Sequence, residues 1–158
     1  MGKRTIGLSN EYYDRNEAPR RTNKTGSDTV VGGVYSVDLP GDDADSQTSS
    51  AADPNKSQGN VTAVSTADIA AGELIVAEEI VADDADGRFC EGEGVVVNVL
   101  VDGTTDVAAG DPVKAQNAST SVIKATVGTD RFHGICLVAQ TSSTPTLCPV
   151  LWFSSGRR

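Results

Sequence analysis

Few side chains in this sequence could do chemistry. The single histidine, His133, lies in the run FHGICLV, three residues before Cys136. A cysteine beside an imidazole can become a nucleophile, because the base removes the thiol proton. Along a strand, however, side chains alternate faces, and a spacing of three sets the two apart. His133 is therefore expected as a strand histidine at a barrel rim or an interface. Cys90, Cys136 and Cys148 are odd in number and too widely spaced for a zinc pattern. They read as small buried apolar side chains in a reducing setting. The acidic run Asp83-Asp84-Ala85-Asp86-Gly87, with Glu91 and Glu93 after it, approaches the calcium loop D-x-D-x-D-G-x5-E. Setting Gly87 on the invariant glycine puts Asp84, Asp86 and Glu93 at ligand positions. Ala82 then takes the first ligand position, and calcium wants about six to eight oxygens. A solvated turn is the better reading, with these three as weak metal candidates only.

Asp42, Asp43 and Asp45 form a second acidic cluster. General acid–base work by paired carboxylates needs one raised pKa in a dry cleft. Neither cluster has apolar neighbours that would supply one. The chain contains no G-x-S-x-G, no H-E-x-x-H and no phosphate-cradling loop. Nothing here predicts an enzyme or calls for a cofactor, and a small hydrolase is the least supported function.

The elements that must carry these groups read as strands. Asp28 to Leu39 is a Val-rich strand with a bend at Gly32-Gly33. Residues 40–59 are a long polar loop, of the length that is usually functional or disordered. Val61 to Val64 is a short strand. Thr66 to Gly72 is a turn, one helical turn ending at Gly72. Glu73 to Val81 reads as a strand. Gly94 to Val101 is a near-continuous apolar run, which predicts burial on both faces. Asp102-Gly103 then signals a hairpin. Pro112 to Ala115, Ser121 to Val127, Phe132 to Gln140 and Thr146 to Phe153 follow. Short strands at this spacing, separated by Gly, Asp and Pro, predict an all-β fold, a small β-barrel or sandwich.

Charge divides the chain. Up to Lys24, six cations face three anions, so this segment is +3 while the whole chain is −9. Residues 1–27 lack apolar periodicity and read as an extended arm on a body of residues 28–158. Ordering such an arm costs about 1–2 kcal/mol per residue in backbone entropy, which contact with another protein would offset. Tyr12 and Tyr13 are the candidate anchors, and Arg15, Arg20 and Arg21 the candidate grips on acidic partner groups. Trp152 and Phe153 read as core, with an oligomer interface as the alternative. The net charge argues against nucleic acid. No stretch is long and apolar enough to span a membrane, and no signal peptide is visible after Lys3-Arg4.

Four segments resemble one family. Gly110-Asp111-Pro112-Val113, Val122-Ile123-Lys124-Ala125-Thr126, His133-Gly134-Ile135-Cys136-Leu137 and Leu147-Cys148-Pro149-Val150-Leu151 stand in the order found in capsid decoration, or cement, proteins of tailed bacteriophages. The resemblance covers residues 94–153. The chain departs from it at Cys148-Pro149, where alternating valines are usual. It implies a compact β-barrel or β-tulip body that forms a homo-oligomer, a dimer or a trimer. That body would sit on the outer surface of the virion and clamp neighbouring subunits of the major capsid protein. Such a protein would be made in the host cytoplasm. The competing reading is a phage or bacterial surface adhesin or fibre module that binds glycan or calcium.

Overall fold

The computed structural model of the chain describes residues 20–38 and 60–158. The fold is all-β, as expected, and its strands close into two five-membered rings. The first contains β1 (Arg20–Asn23), β2 (Val34–Asp38), β3 (Asn60–Thr62), β4 (Leu74–Ala77) and β5 (Asp86–Cys90), in the order β1-β3-β2-β4-β5. The second contains β6 (Glu93–Val101), β7 (Pro112–Ala115), β8 (Val122–Lys124), β9 (Phe132–Cys136) and β10 (Thr146–Arg157), in the order β10-β6-β8-β7-β9. The helix α1 (Thr66–Ala71) links β3 to β4. Ser65 caps it: its hydroxyl accepts from the Asp68 amide while Asp68 accepts from the Ser65 amide, and Gly72 ends it as the sequence predicted.

Alternation decides which residues fill each ring. On β10, Cys148, Val150, Trp152 and Ser154 are buried, while Pro149, Leu151 and Phe153 are only half-buried. Strand β10 runs through Cys148-Pro149 without a break. Inside the first barrel lie Tyr35, Val37, Val61, Ile75, Ala77 and Phe89, with the rings of Tyr35 and Phe89 edge to face at 6.4 Å. The larger core fills the second barrel and crosses into the first. Leu74 and Val76 of β4 belong to it, while Ile75 and Ala77 face the first interior. Strand β4 is thus a wall shared by both cores, which is why all four of its residues are buried.

Polar bonds close the same seam. Leu100 N donates to Gly32 O (2.8 Å), Val34 N to Thr120 O (2.9 Å) and Ala118 N to Val64 O (2.8 Å). Trp152 Nε1 donates to Leu74 O at 3.2 Å. Gly32 sits at φ +75°, and a Cβ there would lie 2.2 Å from Leu147 Cδ2 and 3.1 Å from Asn98 O. The two barrels can approach this closely only because that position has no side chain.

Several boundaries differ from the sequence reading. Residues 20–23, read as part of the arm, belong to the first barrel, because β1 fills the gap between β3 and β5. Asn23 anchors it: the buried amide donates to Ser27 O (2.7 Å) and Val81 O (2.9 Å). The strand expected over Glu73 to Val81 is only β4, and the residues after Ala77 form the β4–β5 loop. Strand β6 is not buried on both faces. Val99 and Val101 are buried, but Val95 and Val96 are exposed. No hairpin follows Asp102-Gly103. Strand β6 pairs instead with β10 and, in parallel, with β8. The Asp102 carboxylate accepts from Thr104 N (2.8 Å), and Gly103 packs on the Gln140 backbone. The loop 40–59 lies outside the described residues.

Candidate protein-binding surfaces

Of the candidate grips, Tyr12, Tyr13 and Arg15 lie outside the described residues. Arg20 is exposed on β1, opposite Arg88 of β5. Arg21 is not presented to a partner. Its guanidinium forms a two-toothed ion pair with Glu91, Nε to Oε1 and Nη2 to Oε2 (2.8 Å), and both side chains are nearly buried. Strand alternation turns Arg20 outward and its neighbour inward.

The candidate metal ligands are not brought together. Asp84 pairs with Lys24 (2.6 Å), Asp86 accepts from Thr22 Oγ1 (2.6 Å), and Glu93 binds Arg157 (3.0 Å) and the Ser155 amide (2.6 Å). Burial pushes the Glu93 carboxyl up, but the Ser155 hydrogen bonds and the Arg157 charge hold it below the usual range. Among the described residues, no three His, Cys, Asp or Glu side chains converge as a metal site. Asp86 also begins β5, so the calcium-like run is half turn and half strand.

His133 is fully buried, not at a rim, and stacks on Trp152 with 6.1 Å between centroids. Neither ring nitrogen has a hydrogen-bond partner. Burial, helped by the charge of Arg131 and opposed by Glu93, lowers its pKa to about 4. Cys136 is buried as well, and its thiol donates to Val138 O (3.0 Å), so no Cys–His pair forms. Both are buried, contrary to simple alternation, next to an irregularity in the β9–β10 ladder between Trp152 and Arg157. All three cysteines are free; burial raises the Cys90 thiol to about 11.

The outer surface offers two sites of a different kind. The register places Val96 opposite Leu151, Leu151 opposite Ile135, and Ile135 opposite Pro112. Directly opposed residues share a face, so one apolar row crosses β6, β10, β9 and β7. Val96 is 63% exposed and the other three are half-buried; Leu137, Val138 and Leu147 are further exposed apolar residues of the second half of the chain. Sequence reasoning took the valines of β6 for core. The structure exposes two of the five, Val95 and Val96.

The second site is a cleft of about 520 Å³ between α1 and the second barrel. Ile69, Ile123 and Ala115 give it an apolar floor, and Lys114, Arg131 and Arg158 line it with positive charge. Asp130 is the only acid in its lining and is tied to Lys114 (2.8 Å), whose hydrogen bond holds the carboxyl below the usual range. No protein-family model, no curated protein and no solved structure matches this chain. The surfaces must therefore be read from their own chemistry.

Proposed function

We propose that this chain is a structural cement protein that docks on the outer surface of a phage head and ties neighbouring major capsid protein subunits together. The observation that carries the reading is the apolar row Val96–Leu151–Ile135–Pro112 on the outside of a closed barrel. Fully burying an exposed side chain such as Val96 contributes about 1.5–3 kcal/mol, and the half-buried Leu151, Ile135 and Pro112 add less each, so the row suits protein docking.

The four family-like segments lend support because they form one contact set. Cys136 N donates to Asp111 O (2.9 Å), the Asp111 carboxylate binds Lys124 (2.6 Å), and Ala125 N donates to Pro112 O (2.8 Å). Leu151 lies opposite Ile135 in the adjoining ladder. The turn, the K-A-T segment, the G-I-x-L strand and the last strand therefore meet in the second barrel. With Arg21 committed to Glu91, any strap contact falls to Arg20 and the residues before it.

The test adds purified chain to heads of the encoding phage that lack it. The wild-type chain is expected to bind and to raise the particle melting temperature. Val96→Asp/Leu151→Asp should bind at least tenfold more weakly. Unchanged binding by that variant, or no binding by the wild type, overturns the reading. Heat of binding with calcium or glycans but none with heads would favour the adhesin or fibre module.

A further inference from the structure

The two barrels differ in charge. Residues 20–38 and 60–92 hold four cations and ten anions, a net of −6, whereas residues 93–158 hold five of each. The imbalance is concentrated in the β4–β5 loop, where Glu78, Glu79, Asp83 and Asp84 occur within eight residues that contain no cation. Glu79 and Asp84 have partners in Arg88 and Lys24, but these are solvent-facing pairs of the kind worth little. In the middle of this loop Ile80 is 68% exposed. Glu79 and Val81, on either side of Ile80, are hydrogen-bonded to Thr29 and Asn23, so the loop is held against the first barrel and shows the Ile80 side chain among its carboxylates. The cleft on the second barrel is its complement, with three cations against one acid over an isoleucine floor.

No residue of the β4–β5 loop lines the cleft of its own molecule. We propose that the cleft of one copy receives the β4–β5 loop of a second copy. Ile80 would meet Ile69 and Ile123, with the loop carboxylates against Lys114 and Arg158, since the Arg131 guanidinium is already bonded to Ser155 O. Site and occupant lie on different surfaces of one chain, so the contact is heterologous. Repetition yields a closed ring when the rotation closes. The inference deepens the reading of an assembling structural protein by naming its self-contact. It commits to a second copy because both complementary surfaces are present on the chain itself.

The test is sedimentation velocity on the full free chain across ionic strength, with no heads present. Wild type is expected to self-associate, and to do so less as salt rises and the Debye length falls below about 10 Å. The loop reversal Glu78→Lys/Asp83→Lys and the cleft reversal Lys114→Glu/Arg158→Glu should each weaken association at least tenfold. An equimolar mixture of the two, and a chain carrying all four changes, should associate again. Ile80→Ser removes the exposed apolar side chain, which is outside both cores, and should also weaken association. Thermal melting checks that each variant is folded. If the cleft reversal unfolds the chain, the two loop variants decide alone. The proposal is overturned by a wild-type chain that stays monomeric, by folded loop variants that associate like wild type, or by reversals whose mixture stays apart. Val96→Asp should leave this association unchanged, so its outcome is separate from that of head binding.

Discussion

At the scale of single residues, the clearest contrast is between Arg20 and Arg21, adjacent and chemically identical. Arg21→Ala strands Glu91 as a nearly buried, unpaired carboxylate and is expected to cost about 3–5 kcal/mol. Arg20→Ala should stay within about 0.5 kcal/mol. Urea unfolding of the two variants checks this, and equal losses would contradict the inward placement of Arg21. His133 gives a pH signature. Its pKa of about 4 in the folded chain lies below the ordinary value of 6.5, so between these values the unfolded chain binds more protons. Stability is then complete above about pH 6.5 and falls by ~3 kcal/mol as the pH drops to about 4. His133→Phe should flatten that slope in unfolding titrations over the same range. A slope equal to wild type would mean that other groups carry it. The spacing of His133 and Cys136 argued against a nucleophile pair, but the burial of His133 depended on the Trp152 ring and the irregular end of β10, which no local pattern encodes.

At the scale of elements, periodicity located most strands well because alternating burial leaves a trace in composition. It read a single helical turn ending at Gly72, where the structure has α1, whose capping by Ser65 and Asp68 the sequence reading did not use. It missed β1, whose sequence RRTN has no apolar residue and becomes a strand only because β3 and β5 offer it ladder partners. It gave β6 two buried faces because it could not see that the outer half of the strand has no covering layer. Trp152 shows how one element joins both barrels, since its indole fills the second core and bonds to Leu74 O on the shared wall. Trp152→Ala is expected to lower stability by about 3–5 kcal/mol. Calorimetry should register it as a fall in melting temperature, and a loss under ~1 kcal/mol would deny the indole its joining role.

At the scale of the whole molecule, closure of the first barrel fixes where the chain can be cut. A chain lacking residues 1–19 keeps every strand of both rings and should melt like the full chain. A chain lacking residues 1–23 loses β1, opens the ring between β3 and β5, and exposes the edges of both. It should melt well below the full chain, and equal melting of the two truncations would refute the ring-closing role of β1. The all-β class, most of the strands and the helical turn ending at Gly72 were legible in the sequence alone. Each of these follows from local alternation, turn chemistry or residue type. Tertiary contacts settled that the strands close into two barrels whose cores meet across β4, that Arg21 is committed to Glu91, and that an apolar row and a basic cleft lie outside. Those features arise from strand pairing and burial between residues distant in the chain, so no window of sequence contains them.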